Sequence, residues 1–275
     1  MEPIALQKTR AWTIRNIERL FGTRQLRGLS TSMVKLGLRG LGVKNFGDVS
    51  GGNEEWFLRK TLTALREPVC ADIGANIGEY TLMCRKHGAR KVLAFEPAPA
   101  TFQTLIENTR SDPAIECIHS AVGERDGVAE FFVPERSDES PLASRDATIT
   151  SFLNDPYNKI SVPLIKLDDF VQARGLQLHF IKIDVEGYEL EVFQGASGTI
   201  ATQRPIIQFE FNSHHLYRRQ NLLDFAAVLK EYALYRLASS SLIPLDPEHY
   251  LSNLFVYQNI IAIPNEMTAL KAMFR

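Results

Sequence analysis

Between residues 4 and 26, Leu6, Ile14, Ile17, Leu20 and Phe21 recur at helical spacing with arginines between them, which predicts an amphipathic helix. Glycines at 37, 40, 42, 47, 51 and 52 then interrupt the pattern, so residues 28–53 read as an irregular connector or short strands. Asn53 can cap a helix over 54–66, with Trp56, Phe57, Leu62 and Leu65 on its apolar side and Pro68 as its stop. The period then changes. Residues 69–80 read VCADIGANIGEY: a short apolar run ending in Asp72, a turn holding Gly74, Asn76 and Gly78, and an amphipathic segment over about 80–87. That order predicts strand, glycine turn and helix, with the turn backbone open to close approach by a ligand.

The following segments repeat the rhythm. Residues 91–95 form a strand ending at Glu96, 101–110 a helix, and 115–120 a third strand followed by Ala121 and Val122. Residues 128–133 and 161–166 read as antiparallel strands around a polar stretch, 134–159, whose length suits a lid or substrate loop. A short helix over 167–174 leads to a buried strand, 180–184, with Glu186 as the expected cap of the helix behind it and Glu189 and Glu191 on that helix's surface. A strand over 205–211 carries Glu210 and leads to Asn212, His214 and His215. A helix over 221–232 and strands over 233–237 and 254–263 close the chain. This alternation predicts an α/β domain over 53–275, a doubly wound, mostly parallel sheet with an insertion at about 134–160, preceded by an extension over 1–52.

Composition narrows the function. Hydrophobic residues at 45% and charged residues at 23% suit a globular chain of 275 residues, and a net charge of -1 argues against a general nucleic-acid binder. The charge is unevenly placed: residues 1–50 hold nine Lys/Arg against three Asp/Glu. The basic helix there can cap the main domain, pair two subunits into a homodimer, or lie on an anionic membrane surface. Cys70, Cys84 and Cys117 are odd in number, have no metal-type spacing and sit among apolar residues, which fits core thiols in a reducing compartment. With no signal-type apolar core and no run of about 18 apolar residues, a cytoplasmic protein is expected.

The glycine turn departs from the dinucleotide pattern G-x-G-x-x-G, having Asn76 at the middle place and Glu79 at the third, and no G-x-x-x-x-G-K-S/T phosphate cradle occurs. Glu96 lies 22 residues beyond Gly74, where a carboxylate can accept hydrogen bonds from both ribose hydroxyls of an adenosyl ligand. Carboxylates without a phosphate-binding lysine suit S-adenosylmethionine better than NAD.

The segments ADIGANIGEYTL, AFEPAPATFQTLIEN, SAVGERDG, IKLDDF and IKIDVEGYELEVFQGA, in this order and spacing, resemble the FkbM-type S-adenosylmethionine-dependent methyltransferases over roughly 53–264. The resemblance implies a class I methyltransferase (Rossmann-like) three-layer sandwich, its seven-stranded sheet ending in an antiparallel strand. It implies methyl transfer to a hydroxyl of a sugar, polyketide or related metabolite. By that resemblance Asp72, Gly74, Asn76 and Tyr80 would line the methionine end, Glu96 would hold the ribose, and Ser120, Ala121 and Val122 would flank adenine. The first 50 residues and the 134–159 insertion match nothing in the family pattern and are the expected source of substrate choice.

A hydroxyl acceptor needs a base, and candidates stand at the carboxyl ends of the strands: Asp184 first, then His214, then Glu210. Asp184, Glu210 and Asn212 could instead form an oxygen-rich site for Mg²⁺, but Asp-rich spacing is lacking, so no metal ligand is assigned. N-methylation of an amine, and a non-catalytic binding module on the same fold, are the alternatives. The retained polar set Asp72, Gly74, Asn76, Glu96 and Asp184 speaks against the second.

Overall fold

The computed structural model describes residues 19, 21, 23–43, 52–134, 157–249 and 251–274. Most of the helix expected over 4–26 and most of the 134–159 insertion lie outside these residues. The chain divides into two compact units, Met1–Leu41 and Gly42–Arg275.

The first unit carries helix α1, Arg27–Gly40, where the glycine count predicts a connector. Its glycines cost about 1 kcal/mol each relative to alanine, but the intervening Met33, Lys35, Leu36, Leu38 and Arg39 are good helix formers. Ser30, Thr31 and Ser32 place their hydroxyls on carbonyls one turn back, so they do not compete with the helix.

In the second unit, α2 (Asn53–Thr63) starts one residue before the expected helix and ends earlier; Gly52 is its N-cap and Asn53 its first residue. Then follow β1 (Val69–Ile73), α3 (Glu79–Lys86), β2 (Lys91–Phe95), α4 (Pro99–Thr109) and β3 (Ile115–Ile118). The expected third strand breaks before Ser120: β4 (Ala121–Gly123) leaves the main sheet and pairs with β6 (Tyr157–Lys166), itself antiparallel to β5 (Gly127–Pro134). After α5 (Leu167–Ala173) come β7 (Phe180–Ile183), α6 (Glu189–Gly195), α7 (Ser197–Gln203) and β8 (Ile206–Phe211). The chain closes with α8 (Ser213–Tyr217), α9 (Leu222–Val228), β9 (Tyr232–Leu237), β10 (Leu242–Pro244), β11 (Gln258–Pro264) and α10 (Thr268–Ala272).

The main sheet runs β10-β9-β11-β8-β7-β1-β2-β3. From β8 to β3 every pairing is parallel, and β11 inserts antiparallel between β8 and β9. Seven of these strands are those expected from the sequence, and β11, the last in the chain, is the reversed one. The eighth, β10, is a three-residue edge paired with β9. Its apolar run is too short to register as a strand in the sequence pattern.

The central strands are mostly apolar because helices cover both faces. Ile73, Ile181, Ile183, Ile207 and Phe209 face one layer, which holds Phe193 and Phe225. Cys70, Phe180, Ile206 and Ile261 face the other, with Phe57 and Leu58 of α2 and Met83 and Cys84 of α3. Toward the carboxyl ends of the strands this second face turns polar. Asp72 pairs in register with Lys182 and Lys182 with Gln208, a buried row across three strands.

Candidate active site

The carboxyl ends of β1, β2 and β7 open onto a cavity walled by Gly74, Asn76, Glu96, Asp184 and Glu186, with Ser120, Ala121 and Val122 at one side. Its floor is the turn after β1, where Gly74 (φ 83°), Asn76 (φ 49°) and Gly78 (φ 94°) hold left-handed backbone. The turn is tied to β2: the Gly74 and Ala75 N–H groups both donate to the Phe95 carbonyl, at 3.0 and 2.9 Å. Glu96 then locks two turns together. Its Oε2 accepts from the Asn76 N–H at 3.0 Å and its Oε1 from the Ala98 N–H at 2.9 Å. Burial pushes the Glu96 carboxyl up to about 7, against the opposing pull of those two N–H donors.

Gly74 is irreplaceable for a steric reason. A Cβ there would overlap the Asp184 carbonyl oxygen, and the φ of 83° disfavours any L side chain. Gly74→Ala should therefore lose about 3 kcal/mol or more of stability, read as a large drop in thermal midpoint. An unchanged midpoint would show that the turn and β7 can part without cost.

Asp72 and Tyr80 do not line this cavity. Asp72 shares the orientation of Cys70, toward α2 and α3, and accepts from the Thr81 hydroxyl at 2.6 Å. Burial lifts its carboxyl to about 6, with Thr81 and Lys182 opposing. Tyr80 stacks on Phe180 at 6.4 Å between ring centres and donates its hydroxyl to Gln208 Oε1 at 2.9 Å. Both residues support the floor from beneath.

Lys182 links this support to the cavity wall. Its ammonium is 2.8 Å from Asp184 Oδ2. Burial alone would lower its pKa, but the surrounding negative charge of Asp184 and Glu54 outweighs burial and holds it charged. Glu54, on the first turn of α2, accepts from Asn259 Nδ2 at 2.6 Å, so the N-terminal end of that helix also faces the polar end of the sheet. Lys182 is the one charge inside Phe180–Ile183, a signal present in the sequence pattern but absent from the residues it singles out.

Of the other two base candidates, Glu210 has an oxygen within 4.8 Å of Asp184 and His214 sits against Glu186, and neither lines the cavity itself. Asn212 caps α8 by accepting from the His214 N–H, and its amide donates to Glu210 Oε2 at 2.8 Å. Burial and the negative charges of Asp184, Glu186 and Glu189 push Glu210 well above the usual carboxylate range, favouring its proton-carrying form. His214 Nδ1 lies 3.1 Å from Glu186 Oε2, within ion-pair reach though off the line of an ideal hydrogen bond. Burial would lower His214, and Glu186 more than reverses this.

The sequence pattern makes Glu186 the cap of the helix behind β7 and Glu189 a surface residue. The structure bears out neither place, since no side chain caps α6. Glu189 is fully buried, and its Oε1 accepts from the N–H groups of Val185 and Gly187. Glu186, at φ 54°, swings out to the cavity wall and His214. Gly187 makes room for that contact, since a Cβ there would lie 2.7 Å from His214 Cβ. Behind them His215 is buried, its Nε2 2.9 Å from Glu189 Oε2.

Among the described residues, Asp184, Glu189 and Glu210 offer oxygens within 4.8 Å of one another. This differs from the Asp184, Glu210 and Asn212 set, in which the Asn212 amide instead donates to Glu210. Lys182 on Asp184 and His215 beside Glu189 already place internal basic groups against the cluster. No residue is assigned as a metal ligand.

A sheet with β11 reversed between β8 and β9, and a glycine turn after β1 tied to an acid ending β2, defines the class I methyltransferase fold. The chain belongs to the methyltransferase FkbM domain family, whose model matches residues 72–237. It is 32% identical over 141 residues to "Methyltransferase 1" of Beauveria bassiana, covering 45% of this chain and 56% of that protein. It is 28% identical over 145 residues to the hexuronic acid methyltransferase AglP of Haloferax volcanii, covering 52% and 56%. The chain thus spans little more than half the length of these relatives. A crystal structure of an FkbM methyltransferase from Methylobacillus flagellatus KT is similar at 20% identity and a TM-score of 0.47, covering 74% of this chain and 47% of that one.

Proposed function

We propose that the protein transfers a methyl group from S-adenosylmethionine to a hydroxyl of a small metabolite or glycan precursor, in the cytoplasm. The observation that carries this reading is Glu96: an acid at the end of β2, fixed by two backbone N–H donors, with lone pairs left for a ligand's hydroxyls. The bound donor would supply a methyl carbon already activated by a sulfonium centre. Glu96 would hold its ribose, Gly74 and Asn76 its aminoacyl end, and Ser120, Ala121 and Val122 its adenine. Asp72 and Tyr80 would act beneath the site rather than in contact with the donor.

The chain's own task is then to place the acceptor oxygen and receive its proton. Positioning can supply about 7–11 kcal/mol of barrier reduction, and a base about 10²–10⁴-fold in rate, so positioning dominates. Asp184 is the preferred base because it lines the cavity and Lys182 fixes one of its oxygens. His214, backed by Glu186, is next, and Glu210 follows because its environment favours the protonated form. With Lys182 and His215 set against the acidic cluster, Mg²⁺ is not the favoured aid. A sugar-type acceptor is supported by the hexuronic acid methyltransferase among the relatives. The acidic wall of Asp184 and Glu186 equally suits a cationic amine, which keeps N-methylation as the second reading. Incubation with the donor and candidate glycosides and amines, followed by product mass and NMR, distinguishes an O-methyl from an N-methyl product; no methylated product from either class would overturn the proposal.

Glu96 also sets a pH dependence. Hydroxyl donors stabilise its ionised form, which in the empty site is reached only above about 7. Affinity for S-adenosylmethionine should therefore rise as pH rises, by about tenfold between pH ~6 and ~8, and should level off above. Calorimetric titration across that range checks it; a flat profile would remove Glu96 from contact with the ligand.

A further inference from the structure

Helix α1 presents a face that is left uncovered. Leu29, Met33 and Leu36 follow one another at i, i+4 and i+7, and each is at least half exposed, Leu36 at 73%. The helix's opposite side, with Arg27, Thr31 and Val34, lines an open groove against Phe21 and Arg24, in which Val34 is itself 61% exposed. The exposed stripe is narrow, and a Cβ added at Gly37 or Gly40 beside it would meet nothing within 4 Å. Arg39 and, further round, Lys35 lie along one side of it.

The charge around this stripe is of one sign. Residues 19–41 contain five cations, Arg19, Arg24, Arg27, Lys35 and Arg39, and not one Asp or Glu. A chain near neutrality overall has thus gathered cations, without counter-charge, in the segment that exposes leucine and methionine side chains. A second copy of the same segment would bring like charge against like charge, which disfavours self-pairing. An anionic lipid surface satisfies both features, taking the apolar side chains into the acyl boundary and the cations at the headgroups. At 14 residues and about 21 Å the helix can lie in the interface but cannot span a bilayer.

We propose that α1 docks the protein on anionic membrane surfaces, with Leu29, Met33 and Leu36 inserted and Lys35 and Arg39 on acidic headgroups. This docking is independent of which acceptor is methylated.

The test is co-flotation of the full chain with vesicles of phosphatidylcholine, with or without about one-fifth phosphatidylglycerol. Binding to the anionic vesicles should exceed binding to the neutral ones by about tenfold or more and should weaken steeply with added salt. Leu29→Glu combined with Leu36→Glu, and separately Lys35→Glu combined with Arg39→Glu, should each reduce it by about tenfold or more, while the thermal unfolding of the domain is unmoved. Equal partition into both vesicle types, or binding that survives both pairs of substitutions, would overturn the proposal. So would absence of vesicle binding together with concentration-dependent self-association abolished by the leucine substitutions, which would assign the stripe to a second copy.

Discussion

Glu96→Ala should weaken S-adenosylmethionine binding by about 100-fold or more, measured by equilibrium dialysis with labelled donor. Two hydroxyl bonds to a carboxylate are each worth about 1.5–3 kcal/mol, and tenfold in affinity is about 1.4 kcal/mol. The substitution also releases the Asn76 and Ala98 N–H groups from the acid that now joins their turns, so part of the loss comes from a floor no longer preorganised. Stability should fall by about 2 kcal/mol from the same cause. Glu96→Gln removes the charge without truncating the side chain. It keeps the size and one carbonyl acceptor, but its NH₂ group must face the Asn76 or the Ala98 N–H, so affinity should fall nearly as far. Unchanged affinity in both variants would place the donor elsewhere.

Asp184→Asn should lower the turnover number by about 10²–10⁴-fold while the protein remains folded. Asparagine is the informative replacement because its carbonyl can still accept from Lys182, whose ammonium is buried and would otherwise lose its partner at 2.8 Å. Donor affinity, read in parallel, should change much less than turnover, and added Mg²⁺ should not restore the rate. Near-normal turnover would exclude Asp184 as the base and move the role to His214, for which His214→Ala is the corresponding variant. Equal losses in donor affinity and turnover would instead make Asp184 a ligand of the donor's ammonium group.

The parts of the fold that depend on continuous apolar runs are legible from sequence. VCADI, KVLAF, FIKI and IIQFEF occupy adjacent central strands because only segments apolar on both faces can sit between two helical layers. Glu96 and the glycine turn can be brought together by spacing alone, since a strand, a crossover helix and a parallel neighbour fix where both strands end. Side-chain direction is harder. Asp72 and Tyr80 are adjacent in sequence to the turn, but the period of two that sends Cys70 into the layer below sends Asp72 there as well. That alternation is visible in the sequence and accounts for Asp72, whereas Tyr80 lies in α3, outside its reach.

Other features need the third dimension. Whether Glu186 or Glu189 bonds the turn after β7 depends on a left-handed residue followed by Gly187, which no periodicity shows. Glu54 reaches the site only because α2 packs with its first turn toward Lys182 and Asn259, the latter 205 residues further along the chain. The glycines of α1 mislead in the opposite direction, because their low propensity is outweighed by the strong helix formers between them.

The central claim is that the cavity bounded by Gly74, Asn76, Glu96 and Asp184 is a methyl-donor site and not a dinucleotide site. Calorimetric titration of the unmodified chain with S-adenosylmethionine and, separately, with NAD tests it most directly. The account predicts saturable one-to-one binding of S-adenosylmethionine, and no heat with NAD. Binding of NAD, or no binding of S-adenosylmethionine to a folded protein, would contradict it.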